Sequence, residues 1–215
     1  MGLESLSKSH MPKPLLLAAF PPELAGLDTA PPLGWNVACT GVGAITAAAA
    51  TARLIAELMP SRVLFLGTCG AYDERLAIGD LIAVSSLTAT SLDEQEGRAY
   101  RPSIERTRWE STWPLPFPAF TVAVVPAITR TEAGARCLAD LAAAEHLELG
   151  GVFAACALAG VPVAALLAVA NRVGPEAHAE WAAHHESVSA QLVSELQARH
   201  GFDLREAERQ SSPIP

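Results

Sequence analysis

The chain has 215 residues, half of them apolar and 18% charged. That suffices to bury a full core and fits one large α/β domain better than two small ones. A formal charge of −8, with basic residues scattered rather than patched, argues against a nucleic-acid partner or any other polymer substrate.

Residues 1–13 and 201–215 are polar and rich in proline or charge, and are expected to be flexible tails around a domain spanning 14–200. Leu15 to Phe20 reads as an apolar strand ended by Pro21-Pro22, and Asn36 to Thr40 as a second strand ended by Gly41-Val-Gly43. Ala44 to Leu58, free of internal Gly and Pro and closed by Pro60, predicts a helix. Val63 to Leu66, Leu81 to Ser86 and Phe120 to Val125 continue the sheet in a βαβ rhythm. Residues 90–118, with four prolines and no clear period, predict a loop that is either mobile or directed at a partner. Glu132 to Ala144 and Glu148 to Ala159 read as helices, Val163 to Val169 as the last buried strand, and Glu176 to Arg199 as a long amphipathic helix. The apolar run Leu147–Val169 is interrupted by Glu148, Gly160 and Pro162 and is not expected to span a membrane. Four widely spaced cysteines and no N-terminal apolar signal region lead us to expect a cytoplasmic protein with reduced thiols.

One stretch carries chemistry. Val63-Leu-Phe-Leu-Gly-Thr-Cys-Gly-Ala-Tyr72 is followed closely by Ile78-Gly-Asp-Leu-Ile-Ala-Val84. A strand stopping at a Gly-Thr-Cys-Gly turn would offer the Thr68 hydroxyl and the bare N–H of Gly70 at its carboxyl end, where open α/β sheets bind small oxygen-rich ligands. The pattern resembles the ribose-and-phosphate loop of the nucleoside phosphorylase and nucleosidase superfamily, and the likeness extends over about residues 14 to 198. It implies an α/β, single-domain, three-layer αβα fold with a mixed, partly barrel-like central sheet.

Glu148 lies among Leu147, Leu149, Gly150 and Gly151, where a carboxylate is costly unless its oxygens accept hydrogen bonds. It could simply complement a helix dipole. In the superfamily a Met-Glu pair at this place holds the two ribose hydroxyls, so the resemblance implies that Glu148 binds the sugar and Leu147 forms an apolar wall beside it. Asn171 ends the last strand, where an amide is commonly a turn-former. The superfamily places its leaving-group residue there; Asn cannot be a general acid, but it can donate to a 6-oxo group and accept from a protonated purine N7. The run Asn171-Arg-Val-Gly-Pro-Glu-Ala-His-Ala-Glu-Trp181 resembles the end of futalosine hydrolases, nucleosidases of menaquinone biosynthesis that release hypoxanthine.

Glu23, after Pro21-Pro22, stands where nucleosidases keep a glutamate that activates water; as an isolated feature it is equally an exposed loop acid. Superfamily phosphorylases bind phosphate through an arginine whose place here is taken by Phe65, which cannot replace a fork of charged donors. Two further departures are Leu167, where an arginine is often found, and the lack of a stacking aromatic after the Phe120–Val125 strand. A phosphate-dependent phosphorylase and a non-catalytic nucleoside-binding protein therefore stay open beside the nucleosidase.

Gly41-Val-Gly43 lacks the third glycine of a dinucleotide fingerprint, and His178, His184 and His185 lack metal-site spacing and are expected to be solvated. Cys69, with no base nearby, is expected to be a buried thiol. No metal or organic cofactor is expected, and the partner is a small nucleoside. Trp109, Trp113 and Phe117 lead us to expect a homodimer or higher homo-oligomer, unless they cap their own sheet.

Overall fold

The computed structural model describes residues 12–199. The expected tails lie outside the described residues, apart from Pro12 and Lys13. The strands are β1 (Leu15–Ala18), β2 (Asn36–Cys39), β3 (Val63–Ala71), β4 (Leu81–Ala89), β5 (Arg108–Glu110), β6 (Ala119–Val124), β7 (Ala144–His146) and β8 (Val163–Arg172). The helices are α1 (Ala44–Leu58), α2 (Leu92–Gln95), α3 (Glu132–Ala139), α4 (Leu149–Ala159) and α5 (Ala177–Ala198).

Central strands read as unbroken apolar runs because both faces are covered. Leu15, Leu17, Val63 and Phe65 face a core shared with α1 and α4, whereas Leu16, Ala18, Leu64 and Leu66 face a second core under α5. The result is three layers, α1 and α4, the sheet, then α5. Pairing runs β2-β1-β3-β7-β6-β4-β5, with β8 bonded to both β3 and β4. The strands β3, β8, β4, β6 and β7 therefore close on themselves, and β1 and β2 extend the sheet outward. The expected mixed, partly barrel-like sheet is present.

The predicted α1 agrees with the structure end to end, from Gly43 at φ 92° to Met59 in the left-handed region. Other boundaries differ. β3 does not stop at a Gly-Thr-Cys-Gly turn; it runs on to Ala71, with an irregularity at Cys69/Gly70 and pairing to β7 and β8. The helix expected over Glu132–Ala144 ends at Ala139, and Ala144–His146 becomes a strand between β3 and β6. Arg75 reaches across to take the carbonyls of Ala139 and Ala142, which anchors that chain reversal.

Residues 90–118 hold α2 and β5, the latter antiparallel to β4. Trp109 packs on the α1/α4 core, and Trp113 and Phe117 pack on the α5 core. These aromatics cap their own subunit's sheet. The Leu147–Val169 run is split among α4, a turn at left-handed Gly160 and β8, and no described helix is long and apolar enough to cross a membrane.

Asp80 shows a structural use of the Ile78-Gly-Asp segment: its carboxylate accepts from Ala77 N–H at 2.7 Å and its carbonyl accepts from Val169 N–H at 2.9 Å. The motif locks the entry of β4 against β8.

Candidate active site

The carboxyl ends of β1, β3 and β8 and the starts of α1 and α4 bring together most of the residues singled out above. Glu23 sits in a 3-10 turn, Pro21–Leu24, directly after β1; the prolines occupy its first positions, where their fixed φ suits the turn. This glutamate is buried rather than an exposed loop acid. Its Oε2 accepts from Ala19 N–H at 3.1 Å, and its Oε1 accepts from both the N–H and the hydroxyl of Thr68 at 2.9 Å. Burial pushes its pKa up to about 7, against the pull of those hydrogen bonds and with a further push from the charge of Glu148. A carboxylate poised there is suited to take a proton at neutral pH.

Thr68 is fixed from both sides, because the indole N–H of Trp181 donates to its hydroxyl at 3.1 Å while that hydroxyl donates to Glu23. Trp181, on α5, stacks on His185 at 4.2 Å and 14° and approaches Phe20 at 6.0 Å. His185 and His178, the latter also stacked on Trp181 at 6.0 Å, thus belong to an aromatic cluster; of the three histidines expected to be solvated, His178 is the exposed one. An aromatic ring thus meets Thr68 from α5. Trp181 was within the Asn171–Trp181 run, but only the packing of α5 across β3 reveals its role.

Glu148 occupies the cap position of α4, buried, without turning its side chain back onto its own helix. Its Oε1 instead accepts the N–H of Gly43, the cap of α1, at 2.8 Å. The N-terminus of α1 therefore faces this carboxylate, which suits a negative group held in a buried place. Leu147 is half-buried against the core cluster that contains Tyr72 and Val173.

Asn171 is buried and its amide N–H donates to the Arg172 carbonyl at 2.9 Å, which orients the side chain and leaves Oδ1 as its free acceptor. Gly70 pairs with Asn171 across β3 and β8; a Cβ there would lie 2.8 Å from Asn171 Nδ2 and 2.9 Å from Val173 Cγ2. The glycine makes room for the amide. Behind it, Glu145 accepts from Tyr72 and from Thr129 N–H, each at 3.0 Å, a buried network with no local signature in the sequence.

Cys69 is buried and free, and burial raises its thiol pKa, so it offers no thiolate nucleophile. Among the described residues no cluster of His, Cys, Asp or Glu is placed to hold a metal ion. Phe65 is buried edge-on to His146 at 5.4 Å, and Leu167 is buried on β8. Among the described residues no arginine or lysine is paired with Glu23, Thr68 or Glu148.

The family model described as Phosphorylase superfamily matches residues 35–118. The chain is 32% identical over 173 residues to futalosine hydrolase of Streptomyces coelicolor, covering 70% of this chain and 72% of that protein. Among solved structures it resembles 5'-methylthioadenosine/S-adenosylhomocysteine nucleosidase of Helicobacter pylori, with a TM-score of 0.76 at 18% identity over 88% of this chain and 99% of the other. It also resembles a futalosine hydrolase mutant of Helicobacter pylori, with a TM-score of 0.75 at 19% identity over 88% and 100%. The chain belongs to the nucleoside phosphorylase and nucleosidase superfamily. Within it the protein is an N-glycosyl hydrolase, a nucleosidase.

Proposed function

We propose that the protein hydrolyses the N-ribosidic bond of a 6-oxopurine nucleoside of the futalosine type and releases hypoxanthine. The observation that carries this reading is Glu23, buried, held by Thr68 and Ala19 and poised near neutrality, with no cationic fork paired to it among the described residues. Glu23 accepts the proton of a water attacking the anomeric carbon. Glu148 holds the ribose hydroxyls with the oxygen it does not give to Gly43, and Leu147 walls the sugar. Positive charge develops on the sugar as the bond to the base breaks, and the buried carboxylates favour it over bulk water. N7 takes a proton from solvent as the bond to N9 breaks, so that the base leaves neutral; Asn171 Oδ1 accepts from that N7–H, and its second amide hydrogen faces a 6-oxo acceptor. The Trp181–His185–Phe20 cluster borders the Thr68 side and suits an apolar part of the substrate.

Futalosine, inosine, adenosine and methylthioadenosine, incubated with and without phosphate, test the reading through release of free base. Base is expected first from the 6-oxopurine nucleosides and without phosphate. Preference for methylthioadenosine overturns the role given to Asn171. Strict dependence on phosphate replaces hydrolysis by phosphorolysis, and tight binding with no base release leaves a nucleoside-binding protein.

Asn171→Asp changes specificity in a defined direction. It places an acceptor against the Arg172 carbonyl, which favours a protonated carboxyl able to serve N7, and in its ionised form it repels a 6-oxo oxygen. The ratio of 6-aminopurine to 6-oxopurine turnover is expected to rise about tenfold, the equivalent of about 1.4 kcal/mol. An unchanged ratio, measured by competition between adenosine and inosine, means the amide does not face the base.

The free thiols among the described residues support a reducing, cytoplasmic setting. With Trp113 and Phe117 packed on their own sheet, support for a homodimer moves to Tyr100 and Ile104, 89% and 96% exposed on the 90–118 excursion. Sedimentation at micromolar concentration decides between dimer and monomer.

A further inference from the structure

His146 ends β7 two residues before Glu148, and its ring is buried between Phe65 and the start of α4. Its Nδ1 lies 3.1 Å from Glu148 N and 3.4 Å from Leu149 N, both of which donate to it, and 3.2 Å from Glu148 Oε2. A nitrogen that accepts two N–H groups carries a lone pair, so the imidazole is neutral with its proton on Nε2. α4 thus begins with no Ser, Thr, Asp or Asn cap and with no cap bond from Glu148 itself; the ring of the preceding strand satisfies the otherwise orphaned N–H groups.

We infer that His146 is a positioning residue for the nucleosidase site, whose neutral imidazole caps α4 and thereby frees the Glu148 carboxylate for the sugar. The inference rests on the ribose-binding role proposed for Glu148. A glutamate at a helix cap would ordinarily be drawn back toward its own backbone N–H groups. Here Nδ1 has already taken them. Its lone pair also cannot bond Oε2, 3.2 Å away, so that oxygen keeps its acceptor capacity for the sugar while Gly43 holds Oε1. Protonation reverses both effects: Nδ1–H opposes two backbone N–H donors and attracts Oε2 into an ion pair, which withdraws the carboxylate. Glu148 is the charged group facing the ring from α4; β3 presents Phe65 and Gly67, and β8 presents Leu167. Burial holds the imidazole below its usual pKa while Glu148 pulls it upward, so the neutral form prevails at neutral pH.

The test uses the whole chain. Nitrogen-15 NMR of histidine-labelled protein at neutral pH is expected to place the His146 proton on Nε2; a proton on Nδ1 overturns the inference whether or not any nucleoside is turned over. Inosine affinity and turnover are then compared for the wild type, His146→Ala and His146→Asn. Asn sets its Oδ1 where the ring holds Nδ1, keeps an acceptor for the two N–H groups, and does not titrate. Ala is expected to lose about 100-fold in kcat/KM, the scale of a carboxylate misplaced by an ångström, and Asn to recover most of it. The acid-side loss of inosine affinity is expected at lower pH in Asn than in the wild type. Affinity is read here because Glu23 governs the pH dependence of the rate. Asn no better than Ala, or an unmoved acid-side midpoint, overturns the inference; if Ala does not fold, the comparison of Asn with wild type and the NMR assignment decide. A wild type that binds inosine without releasing base removes the nucleosidase reading and leaves these binding comparisons in force.

Discussion

Glu23→Gln is expected to lower hypoxanthine release by about 10²- to 10⁴-fold, the usual contribution of a general base, while inosine still binds. Gln keeps the volume of the side chain but cannot accept a proton from water. It also brings an amide N–H against either Ala19 N–H or the donors of Thr68, so one hydrogen bond is lost in addition. In the wild type the active form is the ionised one, so kcat/KM is expected to rise with pH through about 7, the value to which burial pushes this carboxyl. Stability carries the opposite sign. A carboxyl whose pKa is raised on folding stabilises the native state fully below its unfolded value, and that contribution is lost as pH rises through the folded value. The window here runs from 4.5 to about 7, and the full effect is roughly 3 kcal/mol. The stability of Glu23→Gln relative to wild type should therefore improve between pH 5 and pH 8 in chemical denaturation. Equal turnover in the two proteins, or a stability difference that does not move with pH, removes Glu23 from the role of base.

Gly151→Ala is expected to be the most destabilising single-methyl change in the fold. α1 and α4 cross so closely that a Cβ on Gly151 would fall on the Ala44 carbonyl oxygen, well inside van der Waals contact, and 2.8 Å from Ala48 N. Backbone cannot rotate away as a side chain does. The helices must separate, at a cost of about 3 kcal/mol or more, which is about 6–12 °C in Tm for a chain of this size. The crossing also sets the distance between the Gly43 N–H and Glu148, so activity should fall even where the variant is folded. Gly150→Ala is the control: its nearest neighbour is Val124 Cγ1 at 2.8 Å, a side-chain methyl that can shift. Thermal melting of the two variants, compared with wild type, checks the expectation. Equal, small losses would show that the α1/α4 crossing yields easily.

Local composition was enough for α1, because its alanine-rich run is bounded by Gly43 and by Met59-Pro60, and capping is decided within a few residues. It was also enough for the apolar strands, since a strand buried on both faces advertises itself as a continuous run. Glu23, Thr68, Glu148 and Asn171 stood out as polar groups at the edges of such runs, and the fold brings Glu23 to Thr68 and pairs Asn171 with Gly70. What the sequence could not decide depends on partners distant along the chain. Ala144–His146 looked like the end of a helix, yet it is a strand because β3 and β6 offer it backbone groups on both sides. The Gly-Thr-Cys-Gly segment looked like a turn and remains a strand because β7 and β8 continue to pair with it. His146 and Trp181 act through contacts with a helix start and with Thr68. Hydrogen bonds across such separations leave no periodic mark in composition. The sequence by itself determined which groups are polar enough to do chemistry, and the tertiary structure decided which of them meet, because burial and pairing, not spacing, set the pKa of Glu23 and the direction of Glu148.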